Sequence, residues 1–336
     1  MQGDISTRCI DLVSTLGLMD KNDILSVTPL TGGVASDIAV IETPTQKLCA
    51  KFALAKMKVT EDWQAPIHRN KAEYLWLQSL AQIAPENCAQ LYGHSEELGG
   101  FVMEFIEGDD VFVWKSNLLN SAPPRGEAGK LGALLAKLHL FSSQANFNKA
   151  DFDNQGDFEA LRIEPYLQHL KTVHPNLEAD LDDVIDMVRA NRKALIHGDI
   201  SPKNILFRDG QPIILDAECA TFGDPAFDAA FCLNHLILKA IHVPAMQREY
   251  VQEAHRFWDF YAIQANWEPG RDLERRVARL LPALMLARVD GKSPVEYLGR
   301  TQREYVRALA ISLLKQNTSQ LSEIFAAGDF SEGAGL

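Results

Sequence analysis

No stretch of this sequence stays apolar long enough to cross a membrane. The best run near the C-terminus, residues 280–289, is broken by Pro282 and Arg288 and is shorter than the ~20 residues a spanning helix needs. The opening residues MQGDISTRCIDL lack a basic segment followed by an apolar one, so no signal peptide is expected. Cysteine is sparse and odd in number: Cys9, Cys49, Cys88, Cys219 and Cys232, with no two spaced as a zinc or redox pair. Buried free thiols in a reducing cytoplasm are the simplest expectation. Positive charge is short as well, with 33 Lys and Arg against 45 Asp and Glu, a formal net charge of −12. Nucleic acid and anionic membranes both require a basic footprint, so neither is an expected partner. The acidic balance suits a cationic or metal-bound partner better. Internal repeats and low-complexity blocks are also missing, which argues against a solenoid or a disordered array.

What is present is an ordinary globular composition: 336 residues, 46% hydrophobic and 23% charged, enough for a large core and two lobes. Apolar spacing predicts a helix over 4–17, then strands over 25–30, 38–42 and 48–54. A helix follows over 70–83, with Ala72, Leu75, Trp76 and Leu80 on one face, then strands over 90–94 and 101–105. After the acidic linker Glu107-Gly108-Asp109-Asp110 the pattern turns helical. Leu131, Leu134, Leu135 and Leu138 form an i, i+3, i+4, i+7 stripe over 127–141. Residues 142–165 read as irregular, 194–215 as hairpin-like, and the chain beyond as helices to about 326 with a frayed tail. A strand-rich first third (1–106) joined to a helical remainder (107–336) predicts an α+β architecture of two lobes with a ligand cleft between them.

The most informative segment is Leu195-Ile196-His197-Gly198-Asp199-Ile200-Ser201-Pro202-Lys203-Asn204. An apolar strand delivers Asp199, and Asn204 follows five residues later. A second apolar run, Pro212-Ile213-Ile214-Leu215, delivers Asp216. One carboxylate to accept a hydroxyl proton, plus hard oxygen ligands for Mg²⁺, is the set that phosphoryl transfer requires.

These residues resemble the aminoglycoside phosphotransferase family, part of the kinase-like fold shared with choline kinases, methylthioribose kinases and protein kinases. Three blocks carry the resemblance: His197-Gly198-Asp199, Leu215-Asp216-Ala217-Glu218, and Gly223-Asp224-Pro225-Ala226-Phe227-Asp228. It implies a two-lobed protein-kinase-like fold and an ATP-dependent kinase acting on a small molecule with a hydroxyl group. Asp199 is then the catalytic base, and Asn204 and Asp216 hold Mg²⁺. His197 holds the loop rather than acting as base. Glu218 either joins a second metal or is a solvated surface acid. Lys203 either reaches the transferring phosphate or is simply exposed. Asp228 opens a helix over 229–239 and resembles the family's aspartate that braces the catalytic loop. Asp224 reads as a turn residue.

On the nucleotide side, Gly32 and Gly33 lie in a loop between strands, where backbone N–H groups can approach phosphates. Lys51 stands among Leu48, Ala50, Phe52 and Leu54, a costly place for a lysine unless it is paired. The fold keeps its phosphate-binding lysine there, and Glu73 is the expected partner. By the same resemblance the backbone around Glu104 and Ile106 holds the adenine edge.

Only eleven residues separate Asp216 from Asp228, too few for the peptide platform of a protein kinase, and Gly198 stands where those enzymes carry an arginine. A small acceptor is therefore expected, and the acidic composition suits a cationic one such as an amino sugar. Residues 288–294 read as a surface turn with a second possibility as a wall of the acceptor pocket. A non-catalytic nucleotide-binding regulator and an atypical protein kinase remain as alternatives.

Overall fold

The computed structural model describes residues 4–30, 36–54 and 68–328. Gly32 and Gly33 lie outside the described residues, as do residues 329–336 of the expected frayed tail.

The first lobe is built on one antiparallel sheet. Helix α1 (Ile5–Thr15) is followed by β1 (Ser26–Leu30), β2 (Ser36–Glu42) and β3 (Lys47–Ala53). Helix α2 (Arg69–Ile83) precedes β4 (Leu91–Ser95) and β5 (Gly100–Glu104), and the spatial order is β1-β2-β3-β5-β4. Strand β3 is central and nearly all buried, and its alternation decides what faces what. Leu48, Ala50 and Phe52 meet Cys9, Leu12 and Val13 of α1 in a small separate core. Cys49 points the other way, into the main core with Trp76, Leu77 and Leu80 of α2. Lys51 shares that second face, so the pleat aims its ammonium at α2.

The second lobe starts with β6 (Phe112–Val113), α3 (Trp114–Leu119) and α4 (Glu127–Ser142). The stretch expected to be irregular is instead largely helical. Within 142–165 it holds α5 (Gln155–Phe158) and most of a wide-turn helix over Glu159–Gln168 with Pro165 inside it, which runs on into α6 (His169–Val173). Its polar composition hid an apolar set, Leu161, Ile163, Tyr166 and Leu167, that reaches the core. The wider turn accommodates the proline that would break an α-helix.

Helix α7 (Glu178–Ala190) leads to β7 (Ala194–Ile196), β8 (Ile205–Arg208), β9 (Gln211–Ile214) and β10 (Thr221–Gly223). The hairpin expected over 194–215 is only partly right. β8 and β9 form it, whereas β7 pairs with β10, so the loop carrying Asp199 leaves one small sheet and enters another.

Helices α8 (Pro225–His242), α9 (Gln247–Ala262), α10 (Gly270–Asp290), α11 (Arg300–Lys315) and α12 (Leu321–Ala327) complete the lobe. α8 is buried almost all round, as a central core helix must be. Its cap is Asp224, whose carboxylate accepts from Ala226 N at 3.0 Å with Pro225 at the first helical position. Asp228, expected to open this helix, sits inside it, and Asp224, expected as a turn residue, is the cap. Among the described residues no single helix is long and apolar enough to cross a membrane.

Helices α4 and α9 approach closely because position 132 has no side chain. A Cβ there would lie 2.3 Å from the Phe257 carbonyl oxygen, which belongs to backbone and cannot swing away. Gly132→Ala is expected to force the helices apart and to cost roughly 1–3 kcal/mol. A lowered urea midpoint at unchanged slope would register it; an unmoved midpoint would mean the pair relaxes freely.

Candidate functional site

Between the lobes lies a cleft of about 510 Å³, lined by Lys51, Glu73, Glu104, Ile106, Lys203, Asn204, Asp216 and Glu218 along with apolar side chains. Eight of the residues singled out in the sequence thus line one cavity.

Lys51 Nζ lies 2.7 Å from Glu73 Oε1, and both side chains are almost wholly buried. The ammonium also makes a very short contact to Asp216 Oδ1, which links β3 to the strand ends of the second lobe. Burial works against the Lys51 charge, but Asp216 and Glu73 outweigh it and raise its pKa well above that of a free lysine. Burial lifts Glu73 to about 7 despite the lysine beside it. Asp216 is held below its usual value: burial raises it, while Lys51 and Lys203 lower it by more. Its backbone has φ +68°, a left-handed conformation that non-glycine residues seldom adopt and that concentrates at functional sites.

Glu218 is not the solvated surface acid offered as one alternative. Its side chain is largely buried and meets Arg69 Nε at 3.1 Å. Burial and the neighbouring Asp216 raise its pKa.

The Glu104 side chain pairs with Arg208, and its backbone N–H donates to Gln90 O at 2.8 Å. Its amide hydrogen is thus already engaged. Ile106 follows at the cleft wall.

The loop carrying Asp199 is pinned from below. Asp228 is fully buried, and its two carboxylate oxygens accept from His197 N and Gly198 N, each at 2.7 Å. His197 takes Asp199 N–H on Nδ1 at 3.1 Å and donates from Nε2 to Leu215 O at 3.1 Å. Burial lowers its pKa, in keeping with a neutral ring that fixes geometry. Trp76 of α2 stands edge-on to it at 4.8 Å, which ties the first lobe to the loop.

Gly198 has φ +77°, and a Cβ there would sit 3.0 Å from both the Cβ and the carbonyl oxygen of Cys219. Position 198 therefore has no room for an arginine.

Asp199 is nearly buried, with its Oδ2 3.0 Å from Arg162 Nη2 and 3.1 Å from Lys203 Nζ. Burial alone would raise its pKa, but Lys203 and Arg162 hold it far below the carboxylate range, so it is ionised at any physiological pH. Arg162 also donates to Gly198 O from Nε at 2.5 Å. Sequence reasoning missed it, although an arginine between Leu161 and Ile163 in an apolar helix was the available signal.

Asp199 does not line this larger cleft. It opens on a second cavity of about 190 Å³ shared with Tyr166, His235, Lys239, Arg288 and Tyr297. Lys203 lines both cavities, and its side chain is about half exposed. Arg288, Ser293 and Pro294 lie on the second wall, so the segment 288–294 takes the role of wall rather than plain surface turn.

Asn204 spends its Nδ2 on Asp199 O at 3.0 Å, which leaves its amide oxygen for another partner. Leu215 N donates to Asn204 O at 2.9 Å, so Asn204 and Asp216 are fastened side by side. Among the described residues no group of three or more His, Cys, Asp or Glu side chains is arranged to hold a metal alone. Two hard oxygen donors facing a cleft fit Mg²⁺ in the form that keeps waters and shares phosphate oxygens.

Residues 26–273 match the family described as the phosphotransferase enzyme family. The chain belongs to that family. A methylthioribose kinase of Pectobacterium carotovorum is 26% identical over 253 residues, covering 68% of this phosphotransferase-family chain and 63% of the relative. The chain thus spans somewhat under two thirds of the length of that curated relative. Among solved structures, a choline/ethanolamine kinase family protein from Mesorhizobium loti superposes with a TM-score of 0.55 at 15% identity, covering 96% of this chain and 98% of its own. A choline kinase from Cryptosporidium parvum gives 0.54 at 13% identity, covering 97% of each chain. These structural likenesses establish the two-lobed kinase-like fold.

In the second cavity, burial and the nearby Lys115 push the Lys239 ammonium down to about 7, with Arg288 adding to the fall and Glu296 opposing it. The unfolded reference is 10.5, so between pH 7 and 10.5 the folded chain binds fewer protons than the unfolded one. Stability then rises with pH across that window, by up to ~1.4 kcal/mol per unit for one proton. Below pH 7 both states carry the charge and the full burial cost remains. Lys239→Met is expected to raise Tm most below neutrality, with the gain shrinking toward pH 10. A gain independent of pH would contradict this.

Proposed function

We propose that the protein is an ATP-dependent small-molecule kinase that transfers the γ-phosphate to a hydroxyl group. The observation that carries this reading is the relation of the two cavities. Asp199 opens on the smaller one, Lys51, Asn204 and Asp216 on the larger, and Lys203 lines both.

In this reading the larger cleft takes ATP, with the adenine against the Glu104–Ile106 segment and the phosphates toward Lys51. Glu73 orients the Lys51 ammonium, which binds phosphate oxygens. Asn204 and Asp216 hold Mg²⁺, which when bound neutralises phosphate charge; Glu218 is placed to support Asp216 or a second ion. Asp199, kept ionised by its two cations, orients the acceptor hydroxyl and accepts its proton. Lys203 steadies the negative charge of the group in transit between the cavities. Positioning and charge neutralisation supply most of the rate gain in such reactions.

The test is Mg²⁺-dependent ADP release across a panel of amino sugars, sugars, amino alcohols and hydroxy acids. Asp216→Ala is expected to abolish the Mg²⁺ response. Nucleotide binding without turnover on any acceptor would favour a regulator, and labelling of added protein would favour a protein kinase. No binding of an ATP analogue at all would overturn the proposal.

A further inference from the structure

The cavity in front of Asp199 is cationic even though the chain as a whole is acidic. Six of its polar residues decide this, and pairing removes most of their charge from the count. Lys203 is engaged with Asp199, and Lys115 with Glu296. Lys239 and Arg288 are left over. Lys239 is 1% exposed, and among the described residues it meets neither a carboxylate nor a hydrogen-bond acceptor. Its Nζ lies over the face of Tyr297, 4.2 Å from the ring centroid. Arg288 donates from Nη1 to Tyr166 Oη at 3.1 Å, to Ser293 Oγ at 3.2 Å and, in a very short contact, to Ser293 O, while its buried Nε has no partner among the described residues. The Tyr297 hydroxyl is buried and likewise unpartnered.

A buried guanidinium N–H and a buried phenol hydroxyl without partners, beside an ammonium that meets no carboxylate, make a costly arrangement. It becomes favourable when an anion enters, because buried charges are stable only when paired. A cationic acceptor would bring a further positive charge beside Arg288 and Lys239.

We infer that the acceptor is a small hydroxy compound bearing an anionic group, a carboxylate or a phosphate, which Lys239, Arg288 and Tyr297 bind while Asp199 faces its hydroxyl. The cationic acceptor suggested by overall composition is thereby replaced; net charge describes the whole surface, not one cavity. At about 190 Å³ the space lies below the roughly 300–1,000 Å³ of pockets that take drug-sized ligands, so the acceptor is small. The inference rests on the kinase reading for the role of Asp199, but the anion site itself does not need turnover.

Calorimetric titration of the full chain tests it, with D-glycerate and glycerol 3-phosphate as the anionic probes, and with glycerol and choline as neutral and cationic controls. At least one anion is expected to bind ten-fold or more tightly than either control, and the stronger of the two identifies carboxylate or phosphate. Lys239→Met and Arg288→Gln are each expected to weaken that anion ten-fold or more while leaving the affinity for AMP-PNP unchanged. Lys239→Met removes an unpaired buried charge, so a retained or raised Tm excludes misfolding as the cause. Binding of neither anion, equal binding of choline, or anion binding indifferent to both substitutions overturns the inference. Failure of AMP-PNP to bind would instead overturn the nucleotide reading and leave the anion result standing.

Discussion

Asp199→Asn is expected to lower turnover by roughly 10²–10⁴-fold, the usual contribution of a positioned general base. Nucleotide affinity should hardly move, since Asp199 lines the smaller cavity and not the cleft that contains Lys51 and Asp216. The substitution keeps the shape but gives up the charge that both Arg162 and Lys203 face. Rapid-quench measurement of the phosphorylated acceptor, set beside AMP-PNP titration, separates the two effects. Equal loss of binding and turnover would move Asp199 into the nucleotide site; undiminished turnover would remove it from the chemistry.

The same two cations set the pH behaviour. They hold the folded pKa of Asp199 below its unfolded value of 3.8. Its contribution to stability is therefore present above pH 3.8 and lost as pH falls through the lower, folded value. No acid limb of kcat/KM near pH 5–7 is expected from this group.

The largest expected loss of stability lies away from the clefts. Arg276 is buried and meets Asp224 through Nε at 2.9 Å and Nη2 at 3.1 Å. It meets Glu268 at 2.6 Å through Nη2 and at 2.8 Å through Nη1. Arg276→Ala strands two carboxylates, one of which caps α8, where Lys193 serves only Glu268. Removing one member of a buried ion pair costs roughly 3–5 kcal/mol. Denaturant unfolding is the measurement, and a loss below ~1 kcal/mol would mean that water reaches the carboxylates. Burial already raises the Asp224 pKa against the pull of Arg276, so the variant is expected to raise it further.

What the sequence made legible was chemistry that sits close together along the chain. The segment from His197 to Asp228 is short, and its residues act within one turn or one strand of each other, so spacing carried the geometry. Lys51 was legible for a different reason: a lysine inside an apolar strand has few explanations other than a buried partner, and Glu73 stands 2.7 Å away. Of the second cavity, the sequence offered only the segment 288–294, as a possible wall. Lys239 and Arg288, which line it, and Arg162, which holds Asp199 beside it, come from three helices far apart in sequence. Only packing reveals that Lys239 is sealed in α8. The wide-turn helix was missed because Pro165 and several polar residues imitate a loop, and the β7–β10 pairing because its strands enclose the site rather than abut in sequence.

Between Asp216 and Asp228 the chain is held on all sides. Its single hydroxyl side chain, Thr221, is wholly buried, accepts from Gln155 Nε2 at 2.7 Å and donates to Phe152 O at 3.2 Å. A modifying enzyme has no exposed hydroxyl to grasp there. Under the proposed kinase reading, a phosphate placed on this segment is therefore not a means of control.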